Sequence, residues 1–166
     1  MKNIERVKNK IRNLSQLQND VKTWREENSM IVFTNGCFDI LHKGHVDYLN
    51  KAADFGDKLI IGVNSDSSVR ELKGSNRPIQ DEVSRCWLLA SLECVSAVVV
   101  FSDQTPLKLI EVIKPDVLVK GGDYQLENIV GAQEVIENGG EVKIVEFLEG
   151  YSTSSIETKI LRSDTH

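Results

Sequence analysis

Hydrophobic positions in this chain come as short continuous runs separated by longer amphipathic segments. The apolar runs predict strands, at residues 30–34, 58–64, 96–101, 116–120 and 141–147. Segments with apolar residues three and four apart predict helices, at residues 43–55, 66–72, 80–93, 105–113, 128–138 and 153–162. The strand runs are continuously apolar instead of alternating, which is typical of strands that helices cover on both faces.

Strands that alternate with helices at this spacing predict the α/β class. The expected architecture is a Rossmann-like, doubly wound parallel sheet of five strands with helices on both faces. Before the first strand, Leu14, Leu17, Val21 and Trp24 follow helical spacing. We therefore expect an N-terminal helical appendage at residues 1–29 and one domain at residues 30–166.

The net charge and the lengths of the apolar runs exclude several kinds of partner. A net charge of −5 over 166 residues argues against a surface that binds nucleic acid or an anionic membrane. The apolar runs are far shorter than the roughly 18 residues that a membrane span needs. The charged start predicts no secretory signal, and three cysteines without a C-x-x-C pair fit a reducing, cytoplasmic compartment.

Two histidines, His42 and His45, stand where the loop after the first predicted strand runs into a helix. They are three residues apart on one helical face, and Gly44 between them leaves the backbone open to a ligand. Backbone N–H groups and the helix dipole favour an anion at such a position. Two imidazoles there would donate hydrogen bonds to one phosphate and stabilise the charge of a transition state. The pattern therefore predicts a catalytic phosphate site.

Other interpretations of this segment stay open at this point. The simplest is that the histidines are ordinary surface residues or part of a structural N-terminal turn. Asp39 forms a D-x-x-H-x-x-H run with the two histidines, which offers ligand types for a metal. Cys37 in the same loop is a candidate nucleophile, although no Cys/His/Asn set is evident. The G-x-G-x-x-G and P-loop fingerprints are both absent.

Three further stretches carry groups that suit a phosphorylated ligand. Lys73 and Arg77 flank a Gly-Ser-Asn loop and form a cationic clamp for a polyphosphate. Lys120–Asp123 follow a predicted strand, where a glycine pair lets the backbone approach a ligand and Asp123 accepts hydrogen bonds from sugar hydroxyls. Ser152–Ser155 open the last helix, where hydroxyls and free N–H groups could hold the β- and γ-phosphates of a nucleotide.

The run Gly36–His45 resembles the signature of the HxGH nucleotidyltransferases, the cytidylyltransferase-like group. The resemblance covers residues from about 30 to 162. Within that group, four stretches are most similar to the bacterial heptose-1-phosphate adenylyltransferases. They are Thr34–Asp39, Leu72–Gly74 with Arg77-Pro78, Val119–Tyr124 and Gly150–Ile156.

The resemblance implies a reaction and assigns roles along the chain. We expect transfer of AMP from ATP to a sugar 1-phosphate, D-glycero-β-D-manno-heptose 1-phosphate first, which gives ADP-heptose and pyrophosphate for lipopolysaccharide or another surface glycan. The implied catalytic residues are His42, His45 and Lys73. The implied nucleotide-binding residues are Thr34, Gly36, Cys37, Phe38, Gly44, Lys120, Gly121, Tyr151, Ser152 and Thr153. The implied substrate-binding residues are Asp39, whose role is open, Arg77, Arg85, Gly122 and Asp123.

The same resemblance sets expectations for cofactor, partners and rival functions. Mg²⁺ enters as the counter-ion of ATP, without a full set of protein ligands. A homodimer is expected, because relatives commonly form one. Two rival functions stay open: a cytidylyltransferase acting on glycerol 3-phosphate or a phosphoalcohol, and a nucleotide-binding module without turnover. The first type carries an Arg-Thr-x-Gly run where this chain has Phe147-Leu148-Glu149-Gly150, which disfavours CTP.

Overall fold

A sheet of six parallel strands forms the centre of the molecule, of which a computed structural model describes residues 2–122 and 125–163. The strands are β1 (Ile11–Arg12), β2 (Ile31–Gly36), β3 (Lys58–Asn64), β4 (Ala97–Phe101), β5 (Val117–Gly121) and β6 (Glu141–Val145). Their order across the sheet is β1-β4-β3-β2-β5-β6, and every neighbouring pair is parallel. The five predicted strands and the α/β class are confirmed.

The predicted strand count of five is wrong, because the N-terminal segment adds β1 to the edge of the sheet. Residues 11–12 pair with Val98 and Val99 of β4. A strand of two residues is too short to leave a hydrophobic pattern, so periodicity placed this segment within a helix. The structure instead has two helices there, α1 (Asn3–Lys8) and α2 (Leu14–Glu26).

The remaining helices match the predicted ones within a few residues. They are α3 (Lys43–Ala53), α4 (Asp66–Lys73), α5 (Glu82–Ala90), α6 (Leu107–Ile113), α7 (Ala132–Glu137) and α8 (Thr153–Ser163), with a 3-10 turn at Leu126–Asn128. Helix α7 begins later than predicted, because Gly131 takes a left-handed conformation with φ of 86° that a helix does not continue through. Asp81 caps α5 by accepting a hydrogen bond from the Ser84 backbone N–H at 2.7 Å.

Successive strand residues point to opposite faces of the sheet and build two hydrophobic layers. Val32 belongs to the layer that α3 and α5 cover, whereas Ile31 and Phe33 belong to the layer under α2, α6 and α7. Full burial of a side chain such as Phe33 stabilises the fold by roughly 1.5–3 kcal/mol relative to exposure. Helix α2 contributes Leu17 and Val21 to this core. The division of the chain at residue 30 stays a prediction.

The order of the strands reverses at β2, and this places a crevice at the carboxyl ends of the strands. β3 and β4 lie on one side of β2, whereas β5 and β6 lie on the other. Loops that leave β2 and β5 therefore diverge, and open α/β sheets bind their ligands at such a switch point. Within the described residues, no helix combines the length and the apolar character that crossing a bilayer requires.

Candidate active site

A cavity of about 380 Å³ lies at this switch point, beyond the ends of β2, β3 and β5. Its lining residues are Asn35, Gly36, Cys37, Phe38, Asp39, His45, Tyr48, Asn64, Lys73, Lys120, Gly121, Phe147 and Thr153. Nine of the predicted site residues are among them, although they come from four separate stretches of the sequence. The fold therefore brings the predicted stretches to one place.

The two histidines form a stacked pair at the start of α3. His42 occupies the N-cap position, and the rings of His42 and His45 lie 3.9 Å apart between centroids with an angle of 27° between their planes. A Cβ on Gly44 would lie 3.0 Å from His42 Cε1 and 3.1 Å from Tyr151 Cβ, so glycine lets these side chains pack closely over the turn. The predicted start of the helix immediately after His42 is confirmed.

Both imidazoles are poised as neutral hydrogen-bonding groups. Burial lowers the pKa of His42, and burial together with the nearby His42 lowers the pKa of His45 to about 4. A neutral imidazole has one N–H donor and one acceptor nitrogen. Among the described residues, neither Nδ1 atom has a hydrogen-bond partner although both atoms are buried. Buried polar atoms of this kind are ones that a bound ligand or ordered water satisfies.

Two lysines supply the positive charge that the neutral histidines lack. Lys120 lies on β5 and its ammonium donates to the side-chain oxygen of Asn35. Burial lowers the pKa of Lys120 to about 8, so the amine is still mostly protonated at pH 7. Lys73 is exposed at the end of α4. Across the described part of the chain, neither lysine forms an ion pair with a carboxylate, so both are available to an anionic ligand.

Asp39 is buried, and its carboxylate organises the loop between α4 and α5. It accepts hydrogen bonds from the backbone N–H groups of Ile79 and Gln80, at 2.8 and 3.0 Å, and from Arg77 Nη1 at 2.8 Å. Burial alone would raise the pKa of Asp39, but these hydrogen bonds outweigh it and hold the pKa below its usual value. Contacts of Asp39 and Arg77 with a substrate stay predictions.

Two alternative roles of this loop, a metal site and a cysteine nucleophile, can be compared with the geometry around it. Within the described residues, no group of three or more His, Cys, Asp or Glu side chains is placed to hold a metal ion. Burial raises the pKa of the Cys37 thiol, whose Sγ lies 3.9 Å from Asn64 Oδ1. A nucleophilic cysteine requires a lowered pKa, because the thiolate is the reactive form.

Arg85 lies beneath the histidine loop, fully buried, and does not line the cavity. Its Nη1 donates to the Cys37 carbonyl at 2.6 Å, its Nη2 to Asp66 Oδ1 at 2.7 Å, and its Nε to the Gln80 carbonyl at 3.0 Å. All three nitrogens of the guanidinium are thus used within the protein. The implied contact with a substrate stays a prediction, and support of the Cys37 backbone is what the structure adds.

The C-terminal turn joins the site through the start of α8. The Ser155 backbone N–H donates to Ser152 Oγ at 3.1 Å, and the Ser152 N–H donates to Ser155 Oγ at 3.3 Å. This reciprocal cap orders the turn and leaves Thr153 on the wall of the cavity. Tyr151 packs over Gly44, with Lys43 Nζ 5.1 Å from the centre of its ring.

Eight predicted residues are not part of the cavity wall, and one lies outside the described residues. The eight are Thr34, His42, Gly44, Arg77, Arg85, Gly122, Tyr151 and Ser152. Thr34 is completely buried below the cavity, where its Oγ1 lies 2.7 Å from the hydroxyl of Tyr48. Gly122 has a positive φ of 107°, which favours glycine, and its N–H donates to the Val145 carbonyl. Asp123 is not among the described residues.

Four lining residues were not among the predicted site residues: Asn35, Tyr48, Asn64 and Phe147. The ring of Phe147 lies where a Cβ on Gly121 would project, and its centroid is 5.9 Å from that of Tyr48. Tyr48 stands three residues after His45 on α3, a spacing that could have placed it on the same face. The sequence pointed to Phe147 only as the residue in place of the arginine of an Arg-Thr-x-Gly run, and its place on the cavity wall depends on contacts with distant residues.

The geometry agrees with a comparison against protein families. The family model described as cytidylyltransferase-like matches residues 33–163. Strands β3 to β6, most of β2 and the loop with its paired histidines lie within this range. The chain therefore belongs to the cytidylyltransferase-like family, as its histidine motif indicated.

Curated relatives show a more particular similarity. The bifunctional protein HldE of Geobacter metallireducens is 53% identical over 154 residues, which are 93% of this chain and 31% of that protein. A protein of the same name from Helicobacter pylori is 54% identical over 147 residues, which are 89% of this chain and 31% of that protein. This chain thus spans about a third of the length of these relatives.

Two solved structures share the fold. A lipopolysaccharide core biosynthesis protein from Thermoplasma volcanium has a TM-score of 0.59 and 32% identity, over 75% of this chain and 99% of that chain. A pantoate-beta-alanine ligase from Francisella tularensis, in complex with beta-gamma ATP and beta-alanine, has a TM-score of 0.63 and 17% identity, over 92% of this chain and 78% of that chain. The second likeness is one of fold alone.

Proposed function

We propose that this protein transfers the adenylyl group of ATP to a sugar 1-phosphate, with D-glycero-β-D-manno-heptose 1-phosphate as the first acceptor to test. The products are ADP-heptose and pyrophosphate. The observation that carries this proposal is the pair of stacked histidines at the start of α3. They lie beside a cavity whose two lysines form no ion pair with a carboxylate of the described residues. The HldE relatives and the lipopolysaccharide core biosynthesis protein favour a sugar acceptor for surface-glycan synthesis.

In the proposed reaction, a phosphate oxygen of the sugar attacks the α-phosphorus of Mg·ATP in line. A new P–O bond forms as the bond between the α-phosphorus and the bridging oxygen breaks, and pyrophosphate leaves with that electron pair. His42 and His45 would hydrogen-bond the α-phosphate oxygens, while Lys73 and Lys120 would offset the growing charge. No covalent enzyme intermediate is needed, because positioning and charge stabilisation suffice for phosphoryl-type transfer.

Replacement of either histidine tests this mechanism. If each imidazole acts as a strong donor to the transition state, His42→Ala or His45→Ala should lower kcat by about 100- to 1,000-fold. The assay is pyrophosphate release from ATP in the presence of heptose 1-phosphate, and Asn50→Ala, at an exposed position of α3, is the matched control. Near-wild-type turnover in both histidine variants would refute the mechanism.

The choice of nucleotide and acceptor is tested separately. ATP and CTP compared with the same acceptor distinguish the adenylyltransferase from a cytidylyltransferase, and a panel of sugar 1-phosphates identifies the acceptor. Binding of ATP without pyrophosphate release, for every acceptor in the panel, would favour a nucleotide-binding module without turnover.

A further inference from the structure

Arg77 is shared between two carboxylates that come from distant parts of the chain. Its Nη1 donates to Asp39 Oδ2 at 2.8 Å, and its Nη2 pairs with Glu157 Oε1 on α8. The side chains of Arg77 and Glu157 are only 21% and 24% exposed, so water screens the pair incompletely. The guanidinium therefore connects the loop after β2 with the C-terminal helix.

Hydrophobic burial contributes little to the position of α8. Among the residues of α8 whose burial is described, none is buried, and Ile160 and Leu161 leave 55% and 73% of their surface exposed. Its first residue, Thr153, nevertheless lines the cavity. Polar contacts must then have a large share in keeping this end of the helix at the site.

We propose that Glu157 is a positioning residue that fastens the start of α8 to the Arg77 loop, so that both close on one nucleotide. This inference rests on the proposed function for its consequence, but the link itself is independent of any ligand. Asp39 fixes the other end of the link, because the same carboxylate also holds the backbone of Ile79 and Gln80. Loss of the Glu157 charge would free α8 while the Asp39 side stays intact.

A different role for Glu157 predicts the opposite change in ATP affinity. A carboxylate beside an arginine at a phosphate site could instead occupy the place of a phosphate group. Removal of Glu157 would then strengthen nucleotide binding, because Arg77 would gain a free donor. The sign of the change in ATP affinity therefore distinguishes a positioning residue from a competitor.

Hydrogen exchange of the α8 backbone amides, without nucleotide, tests the link. Glu157→Gln keeps the size of the side chain and removes its charge, and we expect these amides to exchange about 2- to 5-fold faster. Glu157→Asp should fall between wild type and Glu157→Gln. Glu149→Gln, at an exposed position of the preceding loop, is the matched control and should leave exchange unchanged. Unchanged α8 exchange in Glu157→Gln would overturn the proposal.

Pyrophosphate-release kinetics test the consequence for the nucleotide. In Glu157→Gln we expect the KM for ATP to rise about 2- to 5-fold with kcat nearly constant, because a turn that holds phosphates would contact them in ground and transition states alike. In an Arg77→Gln background, Glu157→Gln should add nothing, since both act through one ion pair. A lower KM, or additive effects, would overturn the proposal. If the wild type releases no pyrophosphate, the proposed function fails and the exchange result still decides the link.

Discussion

Replacement of Arg85 by methionine would test the support beneath the histidine loop. Arg85 is fully buried and donates to the carbonyls of Cys37 and Gln80 and to the carboxylate of Asp66. Methionine fills part of the same volume but has no donor. The substitution therefore removes three hydrogen bonds, one of which is also an ion pair.

The expected loss of stability in Arg85→Met follows from the buried polar groups that lose their hydrogen-bond donor. Removing one partner of a buried ion pair costs about 3–5 kcal/mol, and a buried carbonyl without its donor costs about 1–3 kcal/mol. The Asp66 side chain is 26% exposed, so water can replace part of the lost interaction. Apolar contacts of the methionine offset a further part. We expect the free energy of unfolding to fall by about 3–4 kcal/mol, near the lower end of the ion-pair range.

Urea denaturation measures this loss against two comparison variants. Arg85→Lys keeps the charge, but one ammonium cannot span three acceptors in different directions, so about 1–2 kcal/mol should be lost. Arg70→Met removes an exposed arginine from α4 and should change stability by no more than about 0.5 kcal/mol. A loss below about 1 kcal/mol in Arg85→Met would refute the support role.

Activity measured well below the denaturation midpoint separates support from direct phosphate contact. In the support role, Arg85→Lys keeps part of the stability and part of the pyrophosphate release together. If Arg85→Met were fully stable yet inactive, direct contact with the substrate would be the better explanation, as the family resemblance implies.

Two further predictions concern acid stability and the glycine beneath Phe147. His45 keeps a pKa of about 4 in the fold, below the ordinary 6.5, so the unfolded chain takes up a proton first as the pH falls. As the pH falls from 6.5 to 4, the free energy of unfolding should therefore decrease by about 1–2 kcal/mol, a range that allows for solvent screening. In His45→Gln, the free energy of unfolding measured by urea denaturation should change less over the same pH range. An equally steep decline in that variant would contradict the prediction. Gly121→Ala places a Cβ against the ring of Phe147, which is 59% exposed and can move. The thermal midpoint should drop by about 2–4 °C, and Phe147→Ala in the same chain should restore it; failure of this rescue would show that the collision is elsewhere.

The elements that could be predicted are those that depend on neighbours in sequence. Continuous apolar runs identified β2 to β5, because a strand covered on both faces is apolar at most positions. The edge strand β6 instead alternates charged and apolar residues from Glu141 to Ile144. The histidine loop was found because its residues form one contiguous motif with helical spacing. Strand β1 was not predicted, since two residues are too few to show a hydrophobic period and only the edge of the sheet determines their pairing.

Only the tertiary structure decided how the polar side chains around the loop are used. Arg85 reaches Cys37 across 48 positions of sequence, and Arg77 reaches Asp39 across 38. Phe147 lies over Gly121 because β5 and β6 are neighbours in the sheet. The sequence alone determined the class of fold and the histidine motif, since both depend on local periodicity and spacing. The strand order decided which cationic side chains are left for a ligand and which ones hold the backbone, because that order determines which distant oxygens each side chain can reach.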